Sequence, residues 1–209
     1  MMKDFNIGLP HGSTPLTAEE SADLLPRHVT TRKDLDDAEF RNYSEAEKKY
    51  LLSKRKRALR FDPFGLYRLH KEMFGHVWKW AGKKRLANKN IGVDKTHIDI
   101  EMMKLKDDLA YWLEQERNRK LDLIEISARL HHRLVSIHPF CNGNGRWARF
   151  IVNLFLRDKL DSYIHFPEDD LRVATEIRAR YIRALQSADH LDYGPLIALH
   201  REFIGPSAI

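Results

Sequence analysis

Apolar residues recur every three or four positions over most of this chain, which is the periodicity of amphipathic helices. In the segment 124–137, for example, Ile126, Leu130, Leu134 and Ile137 fall on one helical face. Alternating apolar and polar positions, which would indicate half-buried strands, are confined to short stretches. The pattern therefore predicts an all-α fold.

Capping signals and breakers place the helix ends. Asp62-Pro63 is a helix start, because Asp caps the N-terminus and Pro fits the first helical position. Pro139 disfavours helical geometry at His138, so a helix is expected to end there. Residues 1–30 are predicted to be an irregular leader with one short helix. The predicted helices span about 17–26, 32–59, 62–82 and 97–117, then a pair over 121–159 whose first member ends at His138, one from 167 through Leu185, and one over 193–203.

Residues 83–96 interrupt the helical periodicity. Asn88, Asn90 and Gly92 favour turns, with short extended pieces around Leu86 and Ile91. This pattern predicts a surface hairpin or loop. The expected architecture is a helical bundle with one small β-hairpin.

Composition narrows the protein class. A length of 209 residues suits a single domain over 1–209. Because no run of about 18 apolar residues occurs and the N-terminus lacks an apolar signal core, neither a membrane span nor secretion is expected. One cysteine fits a reducing cytoplasm. The net charge of +6 permits an acidic partner but does not favour nucleic acid over ATP or an acidic protein.

The stretch 138–149 concentrates the candidate chemistry, because a base, a Gly-Asn-Gly turn and two arginines fall within twelve residues. A glycine-rich turn before a helix N-terminus directs unpaired N–H groups toward an anion. Arg146 and Arg149 lie on nearly the same helical face, and each can bind phosphate bidentately. His138, at the mouth of this turn, can take a proton from a hydroxyl.

Other candidate residues favour structural roles. His131 and His132 are adjacent and point to different faces, so they do not form a metal pair. Cys141 has no spaced partner that would make it a nucleophile. The basic run 54–57 with Arg60 is interpreted as a solvated helix end rather than a nucleic-acid site.

The stretch 138–149 resembles the Fic motif, H-[P/x]-F-x-[D/E]-G-N-G-R-x-x-R. It departs at Asn142, where the family usually has Asp or Glu. Segments 74–82 and 181–185 are also similar to the Fic family, and segments 14–17 and 25–32 resemble its mobile mystery protein B subgroup. The motif positions that match are His138, Phe140, Gly143, Asn144, Gly145, Arg146 and Arg149.

This resemblance implies a protein adenylyltransferase, which transfers AMP from ATP to a Ser, Thr or Tyr hydroxyl of a target protein. His138 is then the base, and Phe140 anchors the loop. Mg²⁺ is the implied cofactor, with Asn142 in place of the usual carboxylate ligand. The resemblance assigns the phosphates to Gly143, Asn144, Gly145, Arg146 and Arg149, and target docking to a flap that includes Lys89, Asn90, Ile91, Gly92 and Val93.

Two other functions stay open at this point. A Fic fold with a different phosphate-containing donor would transfer phosphate or another nucleotide, and a non-catalytic module would bind nucleotide or nucleic acid without transfer. The sequence also lacks the inhibitory S/T-x-x-x-E-[G/N] pattern of many Fic proteins, whose Glu pairs with the second arginine. Arg149 is therefore expected to be free unless a separate antitoxin-like or helix-turn-helix partner supplies that Glu, as in a toxin–antitoxin pair.

Overall fold

A computed structural model of the chain describes residues 12–54 and 59–206. Residues 1–11 of the predicted leader lie outside this range, as does most of the basic run 54–57. The described helices are α1 Ala18–Ala22, α2 Arg32–Tyr50, α3 Pro63–Phe74, α4 Ile98–Arg117, α5 Leu123–Ile137, α6 Asn144–Leu160, α7 Glu168–Arg172, α8 Glu176–Asp189 and α9 Gly194–Phe203; the strands are β1 Ser162–Ile164 and β2 Ile204–Pro206.

Local capping explains where several helices begin. Thr31 and Asp34 form a reciprocal capping box at the start of α2. The Asp62 carboxylate accepts a hydrogen bond from the Gly65 N–H, and Pro63 follows it at the first helical position. These residues stabilise N–H groups that have no acceptor within the helix, which is why the sequence locates these helix starts well.

The core forms around the pair α5 and α6. α5 packs against α4, α6, α8 and α9, while α6 also contacts α3 and β1. Phe140, Trp147 and Phe150 are fully buried between these elements. The loop that joins α5 to α6 contains the motif, so the buried core fixes the position of the candidate site.

The predicted all-α fold with a small two-stranded element is confirmed, but the strands lie elsewhere in the chain. β1 and β2 pair antiparallel, with Tyr163 opposite Gly205. Residues 83–96 contain turns and bends instead of strands. Of the hairpin or loop predicted there, the structure has the loop, because side chains rather than a neighbouring strand bind its backbone. The Lys95 ammonium donates to the Leu86 carbonyl at 2.8 Å, and the Arg85 guanidinium donates to the carbonyl of Ala87 at 2.9 Å and to that of Val93.

Two predicted helices were too long. α2 ends at Tyr50 rather than near 59, because the Arg157 guanidinium binds the carbonyls of Tyr50 and Ser53, and the Tyr163 hydroxyl binds that of Leu51. α3 ends at Phe74, eight residues before Gly82.

The helix predicted from residue 167 is divided into α7 and α8. Val173 is extended, and the Thr175 side chain caps the new helix by accepting from the Arg178 N–H. The Arg178 guanidinium also binds the Leu171 carbonyl. Because these contacts satisfy the backbone at the break, the chain changes direction between the two helices at little cost.

Candidate active site

His138 leaves α5 in a left-handed conformation, with φ 51° and ψ 59°. Such angles in a residue other than glycine cost about 1–3 kcal/mol and persist only where the surroundings enforce them. Arg85 does so: its Nε donates to the His138 carbonyl at 2.8 Å, and its backbone N–H donates to the Pro139 carbonyl at 2.8 Å. The imidazole consequently lines a cavity beside the motif.

The hydrogen bonds of His138 define which ring nitrogen carries the proton. Nδ1 lies 3.2 Å from the Val135 carbonyl, which can only accept, so Nδ1 is the donor. Nε2 of the neutral ring is then left with its lone pair. Burial lowers the pKa of His138 to about 4, while the Val135 carbonyl opposes this shift and the charges of Arg85 and Lys89 add to it. At neutral pH His138 is therefore an uncharged base with Nε2 as proton acceptor.

The motif loop is held in shape by side chains rather than by regular backbone pairing. The Asn144 side chain bonds both the N–H and the carbonyl of Phe140, at 3.0 and 2.9 Å. The Phe140 ring stacks on His70 at 3.6 Å and meets Trp147 edge-on at 4.9 Å. Gly143 has φ +79°, and a Cβ there would lie 2.8 Å from the Phe74 ring. Glycine is thus required at this turn for both its backbone angle and its lack of a side chain.

The N-terminus of α6 supplies the anion-binding groups. Trp147 is the first residue whose N–H reaches a helical acceptor, the Gly143 carbonyl at 2.9 Å. The N–H groups of Asn144, Gly145 and Arg146 precede it and have no intrahelical acceptor. The Gly143 N–H donates to Asn142 Oδ1 at 2.7 Å, so Gly143 contributes shape rather than a free donor.

Asn142 forms hydrogen bonds through both its side chain and its backbone carbonyl. Its Nδ2 donates to the Thr14 carbonyl at 3.0 Å, and its own carbonyl lies 3.1 Å from His70 Nε2. His70 Nδ1 accepts from the Gly82 N–H at 3.0 Å, so His70 Nε2 carries the proton and donates to Asn142. Burial lowers the pKa of His70 to about 3, which keeps this ring neutral.

Both motif arginines are paired with carboxylates. Arg146 lies 2.7 Å from Glu39 and over the Phe74 ring at 4.6 Å. Arg149 Nε and Nη2 each donate to one oxygen of Glu168, at 2.6 Å. Burial raises the pKa of the Glu168 carboxyl, but the charge of Arg149 outweighs burial and the net shift is downward. Glu168 is therefore ionised and neutralises Arg149.

The expectation that Arg149 is free within this chain was wrong. Glu168 lies nineteen residues after Arg149, on α7, and outside any inhibitory sequence pattern. The turn through β1 between α6 and α7 brings the carboxylate back to the arginine. Since a buried guanidinium needs a counterion, a nearby carboxylate is expected on physical grounds, but the sequence does not say which one.

These residues surround a cavity of about 1200 Å³, large enough for a nucleotide. Of the predicted site residues, Lys89 and Phe140 do not line this cavity. Those that line it are Asn90, Ile91, Gly92, Val93, His138, Asn142, Gly143, Asn144, Gly145, Arg146 and Arg149.

Comparison with known proteins relates the motif and its surroundings to a protein family. The profile of the Fic/DOC family matches residues 60–156, which include the whole motif. The chain carries a Fic/DOC family domain. "Protein adenylyltransferase fic-1" of Caenorhabditis briggsae is 31% identical over 148 residues, 70% of this chain and 27% of that protein. "Protein adenylyltransferase Fic" of Drosophila grimshawi is 24% identical over 187 residues, 89% of this chain and 37% of that protein.

Solved structures share the Fic fold. The N-terminal Fic domain of a Bartonella quintana effector superposes with a TM-score of 0.67 and 19% identity, over 99% of this chain and 94% of that one. BepC of Bartonella tribocorum with bound AMPPNP gives a TM-score of 0.65 and 17% identity, over 98% of each chain. The matched regions are 27% and 37% of the length of the two adenylyltransferases above. The mobile mystery protein B subgroup stays a prediction.

The flap of this Fic domain is tied to the motif by Arg85, a residue that the sequence analysis missed. Arg85 is 1% exposed and links the carbonyls of His138, Ala87 and Val93. Gly92, with φ +106°, approaches so closely that a Cβ there would lie 2.5 Å from the His138 Cβ. The burial of Arg85 could not be predicted from the polar sequence around it, because its partners are backbone carbonyls that tertiary folding brings together.

A buried chain of hydrogen bonds ends beside the second arginine of the Fic motif. Ser127 donates to a backbone carbonyl at 2.7 Å, so it accepts from His200 Nδ1 at 2.7 Å. His200 Nε2 then accepts from His131 Nδ1 at 2.9 Å, and His131 Nε2 accepts from the Tyr181 hydroxyl at 3.0 Å. The Arg149 guanidinium lies over the Tyr181 ring, 5.7 Å from its centroid. His131 is thus a core histidine that fixes Tyr181 beside Arg149.

Cys141 does not act as a nucleophile. Burial, with a further contribution from the negative charge of Glu20, raises the pKa of its thiol to about 12. Because the thiolate is the reactive form, Cys141 is inert at neutral pH.

Proposed function

We propose that this Fic domain transfers AMP from ATP to a Ser, Thr or Tyr hydroxyl of a target protein. The observation that carries the proposal is the unprotonated Nε2 of His138 beside a cavity lined by a helix N-terminus and two arginines. A proton acceptor next to an anion site is the arrangement that phosphate-centred transfer to a hydroxyl requires. Relatives named protein adenylyltransferase support the choice of donor.

In this proposal each group has a defined role. His138 Nε2 takes the proton of the target hydroxyl, whose oxygen attacks the α-phosphorus while diphosphate leaves. The N–H groups at the start of α6 bind phosphate oxygens. Arg146 and Arg149 offset the charge that develops on the leaving phosphates.

The family resemblance also implies Mg²⁺, and the residues present fit it only weakly. Among residues 12–54 and 59–206, no group of three His, Cys, Asp or Glu side chains is placed to hold a metal ion. Asn142 Oδ1 keeps one lone pair after accepting from Gly143. Mg²⁺ retains several waters and binds nucleotide phosphates directly, so Asn142 would be its ligand from the motif. When bound, the ion would neutralise phosphate charge.

The test is label transfer to proteins of a cell lysate. ATP labelled at the α-phosphate is expected to label targets, ATP labelled at the γ-phosphate is not, and His138→Ala is expected to abolish the signal. Labelling from the γ-phosphate would instead show phosphotransfer. Nucleotide binding without either label would show a module that does not catalyse transfer.

Target docking by the flap is part of the proposal. The side chains of Lys89 and Asn90 bind the backbone carbonyls of Pro15 and Ser13, which supports docking of a peptide segment along this edge.

A toxin–antitoxin role and a cytoplasmic location also remain predictions. Because Glu168 already neutralises Arg149, the geometry does not require a carboxylate from a helix-turn-helix or antitoxin-like partner. None of the helices within the described ranges is both long and apolar enough to cross a membrane. Slower growth of cells expressing the wild type than of cells expressing His138→Ala would support toxicity, and equal growth would refute it.

A further inference from the structure

The segment 12–16, here called the N-terminal strap, lies across the motif and the flap. Leu16 anchors its end in the core. Three successive carbonyl groups of the strap accept hydrogen bonds from side chains of the flap and the motif: that of Ser13 from Asn90 Nδ2 at 3.1 Å, that of Thr14 from Asn142 Nδ2 at 3.0 Å, and that of Pro15 from Lys89 Nζ at 3.0 Å. The strap is thus held in one register in the groove where a target segment would lie.

In this position of the strap, the Thr14 hydroxyl contacts the catalytic base, His138. Thr14 Oγ1 lies 2.9 Å from His138 Nε2. Because His138 Nδ1 carries the ring proton, Nε2 accepts and the Thr14 hydroxyl donates. The proton therefore already lies on the path along which a general base would remove it.

The neighbouring hydroxyl is directed elsewhere. Ser13 Oγ accepts from Arg178 Nη2 at 3.1 Å, away from His138. The two side chains point to different partners, as expected for consecutive residues of an extended segment. Of the two strap hydroxyls, only that of Thr14 is positioned to accept a transferred group. Ser13 is therefore a matched control for substitutions of Thr14.

Asn142 contributes to this arrangement because it is not an acid. Its Nδ2 donates to the Thr14 carbonyl, whereas a carboxylate at that position has no proton to donate at neutral pH. The departure from the Fic motif thus favours binding of the strap.

We propose that Thr14 is an acceptor in cis, so that the domain adenylylates its own strap. The inference rests on the proposed function. The Thr14 O–H proton passes to His138 Nε2, a bond forms from Thr14 Oγ1 to the α-phosphorus of a nucleoside triphosphate, and the bond from that phosphorus to the β-phosphate oxygen breaks. Diphosphate leaves with the electron pair, His138 later releases the proton to solvent, and the product is a Thr14 phosphodiester.

The test uses the full chain with ATP labelled at the α-phosphate, followed by peptide mass spectrometry. We expect one AMP per chain, located on Thr14, with a first-order rate that does not change over a tenfold range of protein concentration. Thr14→Val keeps the shape without the hydroxyl and is expected to reduce labelling to the level of His138→Ala. Thr14→Ser keeps a hydroxyl and is expected to keep labelling. In the Ser13→Ala control, Thr14 is expected to be labelled as in the wild type.

The outcomes separate this inference from the proposed function. Labelling of lysate proteins by a wild type that carries no AMP on Thr14 would overturn the inference and leave the function standing. A rate on Thr14 that rises in proportion to protein concentration would overturn transfer in cis. Absence of any α-label on the chain and on lysate proteins alike would refute both. Mapping on the wild type decides the matter even if Thr14→Val fails to fold.

Discussion

Replacing Glu168 with Gln tests whether the carboxylate competes with nucleotide phosphates for Arg149. The variant keeps the size of the side chain and removes its charge. Arg149 is 8% exposed in its side chain and donates two hydrogen bonds to Glu168. We expect Glu168→Gln to destabilise the nucleotide-free protein and to tighten the binding of ATP, because Arg149 is left charged and incompletely paired until a phosphate replaces the carboxylate.

The magnitude follows from the burial of the pair. Two unit charges about 4 Å apart attract by about 4 kcal/mol at an effective dielectric constant of about 20. Removing one partner of a fully buried pair costs about 3–5 kcal/mol. The Glu168 side chain is 28% exposed, so solvent screens the pair and a loss of about 1–3 kcal/mol in the free energy of unfolding is expected. If about half of this free energy, about 0.5–1.5 kcal/mol, returns when a phosphate binds Arg149, ATP affinity rises about two- to tenfold, since 1.4 kcal/mol is one decade.

The assay combines urea unfolding without nucleotide and calorimetric titration with ATP and AMP. AMP has no β- or γ-phosphate, so its affinity is expected to change much less than that of ATP. Asp170→Asn is the matched control, because it removes the same charge from an exposed position on the same helix.

An ATP affinity of Glu168→Gln equal to or weaker than that of the wild type would refute the competition. Glu168 would then act by holding Arg149 in its binding position. An equal gain for Asp170→Asn would show that the effect comes from net charge and not from the pair.

Three further predictions concern the base, the metal position and the buried histidines. His138→Ala is expected to slow label transfer by about 10²–10⁴ while calorimetric ATP affinity stays near that of the wild type; retained activity would remove His138 from the mechanism. Asn142→Asp is expected to lower the Mg²⁺ concentration needed for label transfer to lysate proteins, because Mg²⁺ prefers anionic oxygens; an identical Mg²⁺ titration would leave Asn142 as a residue of the turn and strap. Burial lowers the pKa values of His70 and His200 to about 3, so only the unfolded chain takes up these protons as pH falls below the ordinary histidine value. The free energy of unfolding is therefore expected to fall between about pH 6.5 and pH 3, a dependence that His200→Gln should weaken in urea unfolding; an unchanged slope would contradict the assignment.

Features that depend on residues close together in the chain could be predicted from the sequence. Helix starts at Thr31 and Asp62 depend on residues within one turn, so their capping is visible in the sequence. The stretch 138–149 is equally local: its base, its turn and its arginines lie within twelve residues, and the packing of Phe140 keeps them together.

Tertiary structure decided which groups face one another. The partner of Arg149 is on α7, the partner of Arg146 is on α2, and Thr14 reaches His138 across 124 positions of sequence. The residues next to a carboxylate or hydroxyl in the sequence do not indicate whether that group faces solvent or a buried cation. Only the packing of the helices and the path of the strap determine which of these groups lies beside a desolvated arginine or imidazole, where its charge and its proton affect the chemistry.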